Sequence, residues 1–214
     1  MRRTVSAVVG LAICLGAGSA QAQDFGESMT VVFSADRLFG LHFSKRTTEN
    51  PGHPDDKLSS THIELGWAGR GDKTPFDVPR FAFDIFVIDG LSVGGAIGYA
   101  STSFEDENNN DTNANDFVFA PRVGYVWMFS DVAGFWLRGG FTYHRAEFRS
   151  EQEEYGFAFT ADPTFVLSPV EHFAFVAGVN ADIDMTGELD PVVGPDVDRR
   201  YRSIGIQLGL LGYL

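Results

Sequence analysis

Hydrophobic and polar residues alternate along the last sixteen residues of the chain, 199–214. Within this stretch Ile204, Ile206, Leu208, Leu210 and Leu214 occupy alternate positions, with Gly212 interrupting the row. Small or polar residues stand between them up to Gly209, and Leu211 and Tyr213 break that second row near the end. A period of two predicts a β-strand with one apolar face. The length suits a tilted strand that crosses a bilayer, which needs about 9–11 residues in the apolar zone.

The same alternation recurs along the rest of the chain. It predicts seven earlier strands, at 29–44, 80–88, 91–104, 116–129, 134–148, 155–168 and 172–186. In the first of them Arg37 falls on the apolar side, which fits only an interface or a bulge. With the last strand the count is eight, so both ends of the barrel domain are expected on the same side.

The connections between the predicted strands alternate in length. Short turns are expected at 89–90, 130–133 and 169–171, and longer polar segments at 45–79, 105–115, 149–154 and 187–198. In the first long segment Ile63, Leu65 and Trp67 alternate with other residues, as in a strand extension above a membrane. Short turns on one side and long loops on the other are typical of an outer-membrane barrel, with the short turns periplasmic.

The two faces of the predicted strands differ in a way that also bears on the fold. Large aromatic residues occupy one face, and glycine, alanine, serine and charged residues occupy the other. An eight-stranded barrel has an interior just wide enough to be filled by side chains. The pattern therefore predicts an all-β, eight-stranded antiparallel up-and-down transmembrane barrel whose aromatic face meets lipid. A soluble sandwich that buries the aromatic face is the alternative.

Charged residues of both signs have the parity of the inward face. A luminal charge network is therefore expected from Asp84, Arg122, Arg138, Asp162 and Asp182. Buried charges are usually paired, so the network is interpreted as static filling, with an ion gate as the alternative.

The beginning of the chain predicts export. Residues 1–22 combine Arg2 and Arg3, an apolar stretch and a small-residue site ending at Ala22, which is typical of a cleaved signal peptide. Residues 23–214 then form the barrel domain. The one cysteine, Cys14, lies in the signal, so no disulfide is expected. The formal net charge of −13 excludes nucleic-acid binding through bulk charge.

These features resemble the small eight-stranded outer-membrane barrels of Gram-negative bacteria, the OmpA and OmpX type. The run 86–96 around Asp89-Gly90 looks like the periplasmic hairpin of the generic outer-membrane β-barrel family, and the last strand is similar to its assembly signal. The chain departs from that signal at Gly212 and at Leu214, which stands in place of an aromatic residue. The resemblance implies an outer-membrane location with both mature termini periplasmic. It also implies contact with lipid and lipopolysaccharide and with the barrel-insertion machinery, and no cofactor.

Three short motifs bear on further chemistry. His42-x-Ser44 is similar to the His-x-Ser pair of the outer-membrane lipid A deacylase. Asp111-x-Asn113-x-Asn115 is similar to the start of a calcium loop. That loop needs glycine at its sixth position and glutamate at its twelfth, and neither is present, so no metal site is predicted. Trp127, Phe129 and Phe135 are expected in an aromatic girdle, His144 in the lumen and His172 in a turn.

The function predicted is a structural or surface-interaction role for an outer-membrane barrel with acidic or polar external loops and an unknown external ligand. Three alternatives stay open at this point: a narrow ion or small-solute channel, a lipid-modifying enzyme, and a secreted lipocalin-like carrier of an apolar ligand.

Overall fold

Nine β-strands make up the fold. The computed structural model describes residues 25–49, 56–65, 74–76, 78–105, 111–148, 152–190 and 197–214, so the predicted signal peptide lies outside the described residues. The strands are β1 (Val31–Glu49), β2 (Asp56–Leu65), β3 (Arg80–Ile88), β4 (Leu91–Glu105), β5 (Asp111–Ser130), β6 (Ala133–Phe148), β7 (Gln152–Val170), β8 (Phe173–Asp190) and β9 (Val197–Tyr213).

Eight of these strands close into a ring. The hydrogen-bonded order runs from β1 through β3 to β9, and β9 pairs with β1 from Val32↔Tyr213 to Glu49↔Asp198. Every pairing in the ring is antiparallel. The predicted eight-stranded antiparallel barrel is confirmed. We call the end that carries the turns 89–90, 131–132 and 171–172 the turn end, and the opposite end the loop end.

The predicted irregular segment at 45–79 was wrong in part: Ile63 and Leu65 lie in a strand, as their alternation predicted, and Trp67 lies outside the described residues. Strand β1 continues to Glu49, and β2 pairs with it from Phe39↔Leu65 to Thr48↔Asp56. The physical reason is that β3 is short and pairs only with the first part of β1, which leaves backbone groups of the same edge for β2. Strands β5, β7 and β8 also reach further towards the loop end than the sequence pattern predicted.

The aromatic face of the sheet lies outside the barrel. Phe117, Phe141, Phe175 and Leu208 are 41%, 54%, 47% and 48% exposed. The alternation of β9 is also as predicted, with Ile204, Ile206, Leu208, Leu210 and Leu214 all exposed. A soluble sandwich or a lipocalin-like carrier would bury this face, so both alternatives were wrong. Among the described residues, no helix is long and apolar enough to cross a membrane.

A β-bulge in β1 explains the misplaced arginine. The register between β1 and β9 shifts between Ala35 and Phe39, and Arg37 has a positive φ of 57°. From Ala35 to Phe39 the β1 strand advances four residues while β9 advances two, so later β1 residues keep their faces and only the bulge itself departs from the alternation. As a result Arg37, which simple alternation places on the lipid side, is inside the barrel and only 1% exposed.

Candidate functional site

The lumen is filled at the turn end by an aromatic plug, which consists of Phe25, Phe86, Trp136 and Tyr213. The Phe25 ring packs edge-on against the other three, with centroid separations of 5.4 Å to Phe86, 5.5 Å to Trp136 and 5.3 Å to Tyr213. Edge-to-face packing at this distance is favourable because the positive ring edge meets the negative ring face. All four side chains are buried.

The residue at the centre of the plug does not come from a strand. Phe25 belongs to the short segment before β1, which backbone hydrogen bonds attach to the first turn. Met29 N–H donates to the Phe86 carbonyl at 2.7 Å, and Gly90 N–H donates to the Gly26 carbonyl at 2.8 Å. The segment thereby places an aromatic ring in the opening of the barrel. The sequence pattern does not single out Phe25, because one aromatic residue outside any alternation gives no periodic signal.

Above the plug lies an ionic layer. It consists of four arginines and four aspartates, all buried: Arg37, Arg80, Arg122, Arg138, Asp36, Asp84, Asp162 and Asp182.

Arg122 is the centre of one half of the ionic layer. Its guanidinium is paired with Asp36 at 2.6 Å and with Asp84 at 2.5 Å, and its Nε donates to Asp84 Oδ1 at 3.0 Å. Arg138 reaches the same Asp36 carboxylate at 3.1 Å. The two contacts from Arg122 to the Asp84 carboxylate fix the geometry of this ion pair and also compensate its charge.

Asp182 is the centre of the other half. Arg37 contacts it at 2.7 Å and also reaches Asp162 at 3.2 Å, while Arg80 lies 3.8 Å from Asp182. The Thr160 hydroxyl donates to Asp182 at 2.7 Å. Each carboxylate of this half therefore faces at least one arginine.

The structure brings all five predicted luminal residues into the ionic layer and adds Asp36, Arg37 and Arg80. The inward parity of Asp36 and Arg80 was available in the sequence, since Asp36 shares the parity of Ser34 and Arg80 alternates with outward Phe81 and Phe83. The position of Arg37 depends on the bulge, and the sequence does not show how many extra residues the bulge contains. A buried charge pair needs good geometry and further hydrogen bonds to offset its desolvation. Arg122 and Arg37 have both, whereas two guanidinium nitrogens of Arg138 have no hydrogen-bond partner among the described residues.

The plug and the ionic layer are joined by Trp136. The Arg138 guanidinium lies 4.6 Å from its ring centroid, a cation–π contact. The indole N–H donates to the Ser92 hydroxyl at 3.2 Å. Trp136 therefore contacts both the rings of the plug and an arginine of the ionic layer.

A third polar group lies towards the loop end. His144 Nε2 is 3.0 Å from Asp184 Oδ1, and the Tyr201 hydroxyl donates to Glu154 at 3.0 Å. The Phe76 ring packs edge-on against His144 at 5.0 Å. His144 is therefore inside the lumen and is covered by a residue from the segment before β3.

The two weaker sequence motifs are placed differently. His42 and Ser44 are both buried in the lumen, and the Ser44 and Ser60 hydroxyls are hydrogen-bonded at 2.7 Å. The similarity of Asp111-x-Asn113-x-Asn115 to a calcium loop was misleading, because the three residues lie within β5 and pair with β4. In the described part of the chain, no group of three or more His, Cys, Asp or Glu side chains is arranged to hold a metal ion.

Aromatic residues also surround the outside of the turn end. Trp127 and Phe135 stack at 6.0 Å, Phe135 meets Phe165 at 5.4 Å, and Phe129 is exposed. His172 lies in the adjacent turn, with a positive φ of 65° and its Nδ1 3.0 Å from the Tyr213 carbonyl oxygen. This arrangement is typical of side chains at a membrane–water interface.

Comparison with known proteins finds likeness in fold and not in sequence. No family model and no curated protein matches the chain. The structure is similar to the outer membrane protein OprG of Pseudomonas aeruginosa, with a TM-score of 0.52 and 9% identity over 88% of this chain and 98% of that one. It is also similar to outer membrane protein AlkL, solved in DMPC lipid bilayers, with a TM-score of 0.50 and 12% identity over 92% of this chain and 96% of that one.

A closed antiparallel ring, an apolar outer face and a charged, filled interior together define a small outer-membrane β-barrel. The likeness to OprG and AlkL agrees with this class of fold.

Proposed function

We propose that the protein is a structural barrel of the bacterial outer membrane with a closed lumen, and that its loop end faces outward and interacts with lipid or other surfaces. On this proposal residues 1–22 direct export and are removed, and the insertion machinery recognises β9. The short turns and both mature termini are then periplasmic.

The observation that supports a closed lumen is that two different layers fill it in series. The aromatic plug occupies the turn end, and the ionic layer above it links side chains of β1, β3, β5, β6, β7 and β8 across the interior. An ion that passed through would have to displace both apolar rings and paired charges. Neither layer opens without the loss of contacts described above.

The test is conductance of the folded protein in a planar lipid bilayer. We expect no discrete current steps in salt solution. The variant Phe25→Ala removes the central ring of the plug and leaves the ionic layer intact, so it should also be silent. Stable single-channel steps from the wild-type protein would contradict the proposal and favour the narrow channel.

Location and orientation need a separate test. The folded protein should remain with the membrane fraction and should migrate differently on a gel before and after boiling. A cysteine introduced at exposed Glu188, near the loop end, should react with an impermeant thiol reagent on intact cells. A cysteine at exposed Val132, in a turn, should react only after the cells are broken. The reverse result would contradict the proposed orientation.

A further inference from the structure

A group of four cations lies on the outer face of the barrel, immediately on the loop-end side of the apolar surface. We call Lys45, Lys57, Arg200 and Arg202 the cationic patch. Lys45 of β1 is directly opposite Arg202 of β9. Residues directly opposite each other in a sheet point to the same face. All four side chains are exposed.

The patch extends over three neighbouring strands. Thr47, two residues after Lys45, lies between Lys57 of β2 and Arg200 of β9. Ser59 is on the other side of Lys45. The result is two adjacent rows, each with two cations and one hydroxyl, on one outward surface.

The pairing of Lys45 with Arg202 lacks an internal counter-charge among the described residues. Like charges directly opposite each other in a sheet are destabilising. Neither side chain makes an ion pair with the residues that the structure describes, and Arg200 is 4.0 Å from Asp198 at its closest. An external anion between the two facing, exposed cations would relieve this repulsion.

The residues on the turn-end side of the patch indicate which kind of anion it binds. Directly below Lys45 and Arg202 lies the outward apolar pair Phe43↔Ile204, which continues into the lipid-facing surface. On the loop-end side, the opposed carboxylates of Glu49 and Asp198 border the patch. An anion at the patch is therefore repelled by the carboxylates on its loop-end side and has an apolar surface on its turn-end side. A lipid phosphate at the membrane interface has this position.

We propose that the cationic patch binds the phosphate of an anionic lipid, with the acyl chains against Phe43 and Ile204. The proposal rests on the proposed membrane location. Arginine and lysine are both phosphate ligands, the first through its planar fork and the second as a point charge. Clusters of basic residues next to an apolar membrane surface attract anionic headgroups.

Arg145 on the opposite side of the barrel supplies a matched control. It is also exposed and also follows the last outward aromatic of its strand, Tyr143. Its guanidinium is already paired with Glu147 at 3.0 Å and with Glu153 at 2.8 Å. The same substitution therefore removes a cation without a described partner at Arg202 and a neutralised one at Arg145.

The experiment measures lipids retained by the folded protein in native mass spectrometry, with lipid A, phosphatidylglycerol and phosphatidylcholine as probes. We expect lipid A and phosphatidylglycerol to be retained over phosphatidylcholine. Arg202→Gln should weaken their binding about fivefold and Lys45→Gln with Arg202→Gln about 25-fold, since each cation near a membrane surface contributes by about that factor. Arg145→Gln should leave binding unchanged, and Lys45→Arg should preserve it.

Two outcomes would overturn the proposal. Equal weakening by Arg145→Gln and Arg202→Gln would mean that diffuse charge, and not this patch, attracts the lipid. Displacement of the lipids by inorganic phosphate at equal concentration would mean that the patch binds free phosphate and does not use the apolar surface. The same samples are also tested for a gel shift on heating and for conductance. If they shift and stay silent, the proposed function holds and only the lipid proposal has failed.

Discussion

The aromatic plug and the ionic layer fill neighbouring levels of one lumen by opposite means. The plug excludes water with rings that contact one another at 5.3–5.5 Å and needs no charge. The ionic layer consists of charges that are stable there only because each faces a partner. A barrel of this width can therefore be closed by apolar packing or by matched charge.

The two levels differ in how they should respond to damage. Removal of an apolar ring leaves a cavity into which neighbours can relax, so the cost depends on how well the site collapses. Removal of one charge leaves its partner buried and uncompensated, which no small relaxation corrects. The following predictions test this difference through the free energy of unfolding, measured by urea titration in lipid vesicles with tryptophan fluorescence.

The largest effect is expected from Arg122→Met. The change leaves Asp84 without its described arginine and removes one of the two arginines that face Asp36. Loss of one partner from a buried pair costs about 3–5 kcal/mol. Arg145→Met removes an exposed arginine at the surface and should change little. Equal effects of the two variants would show that the luminal charges are not coupled as the geometry indicates.

Phe25→Ala should come next, with a loss of about 3 kcal/mol. That figure is the lower end of the range for deletion of a buried phenylalanine ring, because the segment that carries Phe25 is held to the turn by only a few hydrogen bonds. Phe129→Ala removes a ring that is 67% exposed on the outside and serves as the control. A loss at Phe129 as large as that at Phe25 would contradict a stabilising role for the plug.

Tyr213→Phe tests a single polar contact at the edge of the plug, and Ser168→Ala removes the same contact together with those to the Val170 and Phe173 carbonyl oxygens. The Ser168 hydroxyl is 2.8 Å from that of Tyr213. Loss of one such hydrogen bond costs about 1 kcal/mol. Tyr213→Phe removes the same bond from the other side, so the double variant should cost less than the sum of the two. Strict additivity would mean that this hydrogen bond contributes nothing.

The smallest effect is expected when a whole ion pair is replaced. The double variant Arg122→Met with Asp84→Leu removes one charge of each sign and leaves Asp36 with Arg138. Replacement of a buried pair by apolar residues is often neutral or stabilising, so we expect a change within about 1 kcal/mol. A loss as large as that of Arg122→Met alone would show that the pair stabilises the barrel beyond charge compensation.

The sequence was sufficient for the strands and for the face on which most side chains lie. In β9 the positions from Ile204 to Leu210 alternate without interruption, and a period of two determines which residues face outward. The same parity assigns Asp84, Arg122 and Asp162 to the inside of the barrel, where all three are buried. Regular alternation predicts the face of each residue because successive side chains of a strand point to opposite faces.

Three features could not be read from alternation. Arg37 is turned inward within a bulge, and its misfit in the polar–apolar pattern does not show which way the bulge turns it. The pairing of β2 depends on which edge of β1 the short strand β3 leaves open, and this is a property of the whole sheet. Phe25 enters the lumen through hydrogen bonds to the first turn, which are made by backbone groups of no particular sequence.

The ionic layer carries as many positive as negative side chains, four of each. A membrane potential does work only on net charge that moves through it, about 2.3 kcal/mol per elementary charge for each 100 mV. A neutral group of linked arginines and aspartates gives the field no net charge to move. The barrel should therefore stay in one state across physiological voltages, and an applied potential of either sign should leave its silence in a bilayer unchanged.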